Sequence, residues 1–470
     1  MCGVFGIYKH PDAKRLVSIG LFNLKHRGKN GAGIAGKDSV KMIINRFRDL
    51  GPVRSILNPN NQGLARIRGD SFIGHVRYPT AGTDTLDNVH PHESSSIRGK
   101  IFLASNGDVV NFEDQKEFLE RESIRVYSEC DAEMIAASFS WQLSIKGRNI
   151  TEAARKVARH VKGSYSSIFF TDFDDNMYAM RDPMGIRPLV LGEKDGSPVF
   201  ASETCALDAI GAIYIRDIKP GELIVAHQHG IDSHDIAQSE NKAFCIFELV
   251  YFARPDSLWN NNSCEFYREA MGQLLAQEHL VDADLVVAVP KSGIPGAVGY
   301  ARESGIPYGI AVIENPSPLT TLESGEEIER TFIGSSMLQI NSEADDKYNI
   351  IADRVRDKKI IVIDDSIVRG TTALRLTGNL RMAGAKEVHW RIPCPPISYS
   401  CFYGIATKER RKLAARESNI RLIQKRIGNP DSVCYLSLEG LVKATQQEEN
   451  SFCTACFNGN YPISIPSNLL

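Results

Sequence analysis

The stretch Lys-Lys-Ile-Ile-Val-Ile-Asp-Asp-Ser-Ile-Val-Arg-Gly-Thr-Thr, from Lys358 to Thr372, constrains the fold more than any other part of the chain. The branched apolar run Ile360 to Ile363 suits a strand buried on both faces, as in a parallel sheet covered by helices. It stops on two adjacent carboxylates, Asp364 and Asp365, and a small-residue turn then opens a helical pattern. Helix starts leave backbone N–H groups unpaired, and together with the hydroxyls of Thr371 and Thr372 these can hold a phosphate. Paired acids can grip vicinal sugar hydroxyls directly or through Mg²⁺, which takes hard oxygen ligands. The turn thus suits a ribose phosphate; for the acids alone, a polar turn capping the next helix is the competing reading.

A chain of 470 residues with 43% hydrophobic content predicts two domains. Before residue 227 the pattern is short strands with many turns: Gly3 to Tyr8, Ser71 to Val76, Ile101 to Ser105, Ser166 to Thr171 and Leu189 to Leu191. Helical patterns run from Ala13 to Leu24 and from Ala132 to Ile145, so antiparallel sheets covered by helices are expected. The polar stretch His227 to Lys242 reads as a connector. Beyond it strands and helices alternate, with strands expected at Leu285 to Pro290, Tyr308 to Ile313 and Ile360 to Asp364 and helices at Gly296 to Ser304 and Thr372 to Ala383. Ligands gather at the carboxyl ends of such parallel strands. The expected division is 1–235, 243–445 and a tail at 446–470, with Glu314 to Glu329 a mobile loop.

A formal net charge of −2 and the lack of a basic run argue against nucleic acid or a membrane surface as main partner. With neither a secretory leader nor a bilayer-length apolar run, a cytoplasmic protein is expected. The ten cysteines then read as ligands, nucleophiles or small buried residues rather than a disulfide framework.

The ordered string ending Ile367-Val368-Arg369-Gly370-Thr371-Thr372 resembles the 5-phosphoribosyl-1-diphosphate (PRPP) motif of type I phosphoribosyltransferases, in its amidophosphoribosyltransferase branch. The resemblance implies PRPP contacts at Asp364, Asp365, Ser366, Arg369, Gly370, Thr371 and Thr372, and Mg²⁺ held by Ser292, Asp364 and Asp365. In the loop Val289 to Pro295, Lys291 stands where this family usually has an acid. Arg330-Thr331-Phe332-Ile333 resembles the end of the loop that closes over PRPP, and Lys347 also matches, so Arg330 and Lys347 join the expected PRPP set. Before Arg330 the chain carries about ten extra residues, the usual Asn-x-Tyr is missing, and Ile340 replaces an arginine.

Removal of Met1 would leave Cys2 with a free α-amine beside its thiol. An amine of pKa about 7.7 to 8.0 can take the thiol proton without a separate histidine. His26-Arg27-Gly28, Gly74-His75-Val76-Arg77-Tyr78, Ser105-Asn106-Gly107, Asp131-Ala132-Glu133 and the run Arg181 to Leu189 follow in order. With Cys2 they resemble the N-terminal-nucleophile glutamine amidotransferases over most of residues 1–225. Glutamine presents a carboxylate, an ammonium and an amide carbonyl, so its site needs a fixed cation, a fixed anion and an oxyanion hole. By resemblance Arg77 clamps the carboxylate, Asp131 receives the ammonium, Asn106 and the Gly107 amide hold the oxyanion, and Arg27 and Tyr78 complete the pocket. Departures flank this set: Lys29-Asn30, Pro79, and Ser105 in place of a histidine.

Cys453-Thr454-Ala455-Cys456 has the spacing of a metal site, and Cys245 and Cys401 coincide with family positions. All four resemble the subset carrying a [4Fe-4S] cluster; zinc in a Cys₄ site is the rival that spacing leaves open. Cys130, Cys205, Cys264, Cys394 and Cys434 read as packed apolar residues.

The resemblance implies an α+β N-terminal-nucleophile hydrolase domain of αββα layers, followed by an α/β type I phosphoribosyltransferase domain. It further implies a glutamine-dependent enzyme making 5-phosphoribosylamine from PRPP at the first step of purine synthesis, homotetrameric, with purine nucleotides as feedback ligands. Two alternatives stand beside it: a divergent relative aminating another sugar phosphate, and a non-catalytic nucleotide-sensing protein.

Overall fold

Alternation along the first strand, Gly3–Ile7, sets the layers of the N-terminal half. Successive strand residues point to opposite faces. Phe5 and Ile7 join a core with residues of the helices Ala13–Asn23 and Thr204–Asp208. Val4 and Tyr8 instead pack with Phe102, Ala104, Ile168 and Phe170, which come from a second sheet. The other face of that sheet, through Ile101, Leu103 and Phe169, meets the helices Asp131–Ser144 and Ile150–His160. The order is therefore helix, sheet, sheet, helix, each internal side chain gaining roughly 1.5–3 kcal/mol from burial.

The computed structural model describes all residues except 80–82, 240, 316–346, 468 and 470. Arg330 and the expected closing loop lie outside the described residues.

The first sheet has seven antiparallel strands, in the order Ile213–Asp217, Val190–Lys194, Ser197–Ala201, Gly3–Ile7, Ser71–Arg77, Gly31–Asp38 and Ile43–Leu50. The second has six, in the order Gly230–Asp235, Glu222–His227, Met177–Arg181, Gly163–Thr171, Gly99–Val109 and His92–Ser96. The connector expected from His227 is a correction. Glu222–His227 and Gly230–Asp235 pair as a hairpin, and the link to the next half starts only after it. The outer strand is mostly exposed and polar on both faces, so it lacks the alternation that marks a half-buried strand.

The second half is built on four parallel strands, Leu285–Ala288, Lys359–Ile363, Glu387–Ile392 and Ser432–Tyr435. Ile360 to Ile363 are fully buried in the interior of this sheet, between two neighbours. The strand expected over Tyr308 to Ile313 is reduced to a single bridge from Tyr308 to Val286. Val312–Glu314 turns away to pair antiparallel with Tyr348–Ile350. Pro307 has no N–H to extend the ladder, which accounts for the short pairing.

The halves share a core. Met1, Val110 and Ile186 pack among residues of the second half. Cys245 N–H donates to Ile186 O at 3.1 Å, and Arg187 Nε donates to Tyr403 O at 2.7 Å. Phe244–Cys245 pairs in parallel with Phe452–Cys453, which draws the C-terminal segment onto the start of the second half.

Candidate active site

Cys2 sits at the head of Gly3–Ile7, 6% exposed, where neighbouring strands deliver its partners. Its backbone nitrogen donates to Asn106 Oδ1 at 3.2 Å. Tyr78 N–H approaches Cys2 Sγ at 3.4 Å, and Arg27 Nε donates to Cys2 O at 2.9 Å. Asn106 Nδ2 has no hydrogen-bond partner among the described residues, so a donor stands ready beside the thiol. Gly107 has to be glycine: a Cβ there would lie 1.9 Å from Ser164 O.

Cys2, Arg77, Tyr78, Gly107 and Asp131 line one cavity of about 20 Å³. Arg77 is buried and is held by the carbonyls of Asn88 and Thr83 at 2.8 and 3.1 Å. Asp131 opens the helix Asp131–Ser144 and accepts from Val109 N–H at 3.2 Å. Burial, with Asp108 close by, lifts the Asp131 carboxyl well above the usual carboxylate range. A site that disfavours its own negative charge gains from a ligand ammonium. Arg77 and Asp131 are thus buried groups rather than surface ion pairs. His75 is fully buried and kept neutral, chiefly by desolvation, and His26 pairs with Glu203 at 2.6 Å.

The second cavity, of about 570 Å³, opens at the carboxyl end of Lys359–Ile363. Ser292, Lys347, Asp364, Asp365, Ser366 and Arg369 all line it, as do Gly370, Thr371 and Thr372. Gly370, at φ 84°, precedes the helix Thr371–Met382, in a left-handed conformation that favours glycine. Burial and the neighbouring acid push the Asp364 carboxyl well up, and burial raises Asp365. Ser292 Oγ lies 3.5 Å from Asp364 Oδ1. Two buried acids and a hydroxyl form a hard-oxygen set that a divalent cation would relieve. Lys347 lies 3.5 Å from Glu314, and Lys291 also lines the cavity.

One segment touches both sites. Phe22, Asn23, Lys25 and His26 wall the large cavity, while the next residue, Arg27, holds the carbonyl of Cys2. The Arg27 guanidinium also pairs with Glu203 and, at 2.8 Å, with Glu248. Burial opposes its charge, but the two acids hold its pKa above the ordinary arginine value.

Residues 84–209 match the family described as a glutamine amidotransferase domain. An amidophosphoribosyltransferase of Archaeoglobus fulgidus is 40% identical over 471 residues, covering 99% of both chains. The chain belongs to the amidophosphoribosyltransferase family. The family's Bacillus subtilis member is 36% identical over 99% of this chain and 94% of its own. A solved B. subtilis glutamine PRPP amidotransferase, complexed with ADP and GMP, superposes with a TM-score of 0.88 at 35% identity, covering 100% of this chain and 99% of that one.

Cys245, Cys401, Cys453 and Cys456 come together within the second half and its C-terminal segment. Cys245 and Cys453 are directly paired in register. Burial chiefly raises the thiols of Cys245, Cys453 and Cys456, and the nearby Cys401 raises each of them further.

Sequence reading missed two features of this amidophosphoribosyltransferase. The Arg27–Glu203–Glu248 network joins residues too far apart in sequence to form a motif. Cys130, expected to be simple packing, lies with its sulfur 2.9 Å from His90 Nε2; the His-Pro-His run at 90–92 was the available signal.

Proposed function

We propose that this chain releases ammonia from glutamine at Cys2 and passes it to PRPP at the Asp364–Asp365 cavity, giving 5-phosphoribosylamine, diphosphate and glutamate. Family membership supports the activity, the first committed chemistry of purine synthesis. The observation that carries the coupling is the Phe22–Arg27 segment, which walls one cavity and holds the backbone of the nucleophile in the other.

Once the chain is cut before Cys2, its nitrogen becomes an amine beside the thiol. That amine takes the thiol proton and the sulfur attacks the glutamine amide carbon. Asn106 Nδ2 and the Gly107 amide donate to the developing oxyanion, Arg77 binds the carboxylate and Asp131 the ammonium, with Arg27 and Tyr78 fixing Cys2. Ammonia leaves as the thioester forms, and water then frees glutamate. In the larger cavity Thr371, Thr372 and the helix start bind the 5-phosphate, and Asp364 and Asp365 orient the ribose. Ser366, Arg369, Gly370 and Lys347 complete this set, with Arg330 from the loop.

Asp364, Asp365 and Ser292 would hold Mg²⁺, which neutralises the diphosphate leaving group when bound. Cys245, Cys401, Cys453 and Cys456 would hold a [4Fe-4S] cluster as a structural staple between the C-terminal segment and the second half. Residues 1–235 form the glutaminase unit, 243–445 the phosphoribosyltransferase and 446–470 the tail that returns two of the cysteines. The solved neighbours, one complexed with ADP and GMP and one an allosteric regulatory enzyme of purine biosynthesis, support purine nucleotides as feedback ligands. A cytoplasmic homotetramer completes the reading; among the described residues no helix is long and apolar enough to cross a membrane.

The test supplies glutamine, PRPP and Mg²⁺ to protein cut before Cys2 and follows glutamate and diphosphate together. Equimolar release is expected, and glutamate without PRPP consumption would overturn the acceptor. Anaerobically purified protein should contain iron and sulfide; stoichiometric zinc without iron would overturn the cluster.

A further inference from the structure

The second half reaches the glutaminase cavity through a short segment, Tyr403 to Lys408, that the proposed chemistry leaves idle. Tyr403 O accepts from Ser164 Oγ at 2.8 Å and from Arg187 Nε at 2.7 Å, and Ser164 lines the cavity with Cys2. Gly404, at φ 106°, packs so closely on the strand Gly99–Val109 that an added Cβ would sit 3.4 Å from the Gly107 carbonyl carbon. Ser400 Oγ donates to Lys408 O at 2.7 Å, which fixes the end of the segment. Lys408 Nζ then lies 2.9 Å from Asp108 Oδ2, with its side chain 41% exposed against 3% for the acid. That oxygen is buried and has no hydrogen bond among the described residues. The cation arriving from the surface is therefore the charge that compensates it.

Asp108 matters because of its neighbour. The Asp131 carboxyl is lifted first by burial and next by Asp108, while Lys408 pulls it the other way. The two carboxyls are close enough to share a proton, and acids so placed ionise together only beside added positive charge. Arg77 faces the same cavity, but the proposed chemistry commits it to the glutamine carboxylate. The Cys2 amine must be neutral to act, and the thiols of Cys2 and Cys130 and the neutral His90 bring no cation. Lys408 itself meets Asp108 and Asp131, with Cys401 on its other side. In the free site one proton and Lys408 balance the two acids. An arriving ammonium supplies a second positive charge, and the proton leaves to solvent.

We propose that Lys408 is a positioning residue for glutamine, its ammonium holding Asp108 as the anion so that Asp131 can surrender its proton and bind the substrate's α-ammonium. The proposal rests on the glutaminase reading and deepens it: the second half completes the substrate pocket of the first. Because Lys408 acts through Asp108, it governs affinity and its pH dependence, not the rate of the bound complex.

The test measures KM and kcat for glutamine against pH in the full-length, cluster-loaded chain. Lys408→Met should raise KM at least ~10-fold at the acid end, the effect of a one-unit rise in the Asp131 pKa, with kcat changed far less. It should also move the pH at which KM flattens upward, whereas Asp108→Asn should move it downward. Lys408→Arg should keep the wild-type profile. In the Asp108→Asn background, Lys408→Met should cost little, a rescue that a packing role of the lysine stem would not allow. That double variant also carries the test should Lys408→Met alone lose the wild-type melting transition. An unshifted profile in Lys408→Met, or a double variant weakened as much as the single one, would overturn the proposal. Wild type that makes no glutamate would sink the glutaminase reading instead, and calorimetric titration of glutamine into Cys2→Ala and Cys2→Ala/Lys408→Met protein then decides the role of Lys408. Tighter, pH-dependent binding in the first alone would uphold it, and equal or undetectable binding in both would overturn it.

Discussion

The two cavities stand at opposite ends of preorganisation. Around Cys2 the space is about 20 Å³, room for about one water, and the donors already sit in place on strands and a helix start. Around Asp364 and Asp365 it is about 570 Å³, with raised, mutually opposed carboxyls. The small site is poised for a transition state but must yield to admit glutamine. The large site depends on its ligand to settle its charges.

Substitutions can break this contrast. The largest effect is expected from Cys2→Ala, which should lower glutamine-dependent turnover by roughly 10³-fold or more while ammonia-dependent diphosphate release persists. Loss of both activities in a protein with the wild-type melting transition would show that the sites are not separable. Next, Asn106→Ala should reduce glutaminase kcat by about 10²- to 10³-fold with a smaller change in KM, as for one lost oxyanion donor. Asp364→Asn should weaken both glutamine- and ammonia-dependent diphosphate release by roughly 10²-fold, measured against an unchanged basal glutaminase rate.

The smallest effect sharpens the comparison through pH. The Asp131 carboxyl has a raised pKa, so it is protonated at lower pH and becomes the anion that an ammonium needs only as pH rises through that value. KM for glutamine should therefore fall with rising pH by up to about tenfold per unit below the raised pKa, and flatten above it. Asp131→Asn should remove the slope. A slope retained in that variant would assign the titration elsewhere.

The layer architecture and the residues lining both cavities were legible because their signals are local. Ile360 to Asp365 announces a buried strand with acids at its carboxyl end, Cys2, Arg77 and Asn106 sit on or beside strands, and Asp131 opens a helix whose pattern begins at Ala132. The outer strand Gly230–Asp235 falls inside the stretch His227 to Lys242 that reads as a connector, because its residues are mostly exposed and polar. His90, His92 and Cys130 escaped notice because their grouping depends on the chain folding back over 38 residues between His92 and Cys130. Arg27 was read as a glutamine-pocket residue, whereas its two acids come from positions 203 and 248 and only the assembled layers bring them together.

That guanidinium has a consequence for how such a protein can change over generations. Arg27 is committed to one acid from each half and to the nucleophile's own carbonyl, and stranding a buried charge of this kind costs about 3–5 kcal/mol. A transplanted glutaminase module would therefore arrive incompatible unless positions 27, 203 and 248 travelled as a set. The junction is inherited whole or not at all.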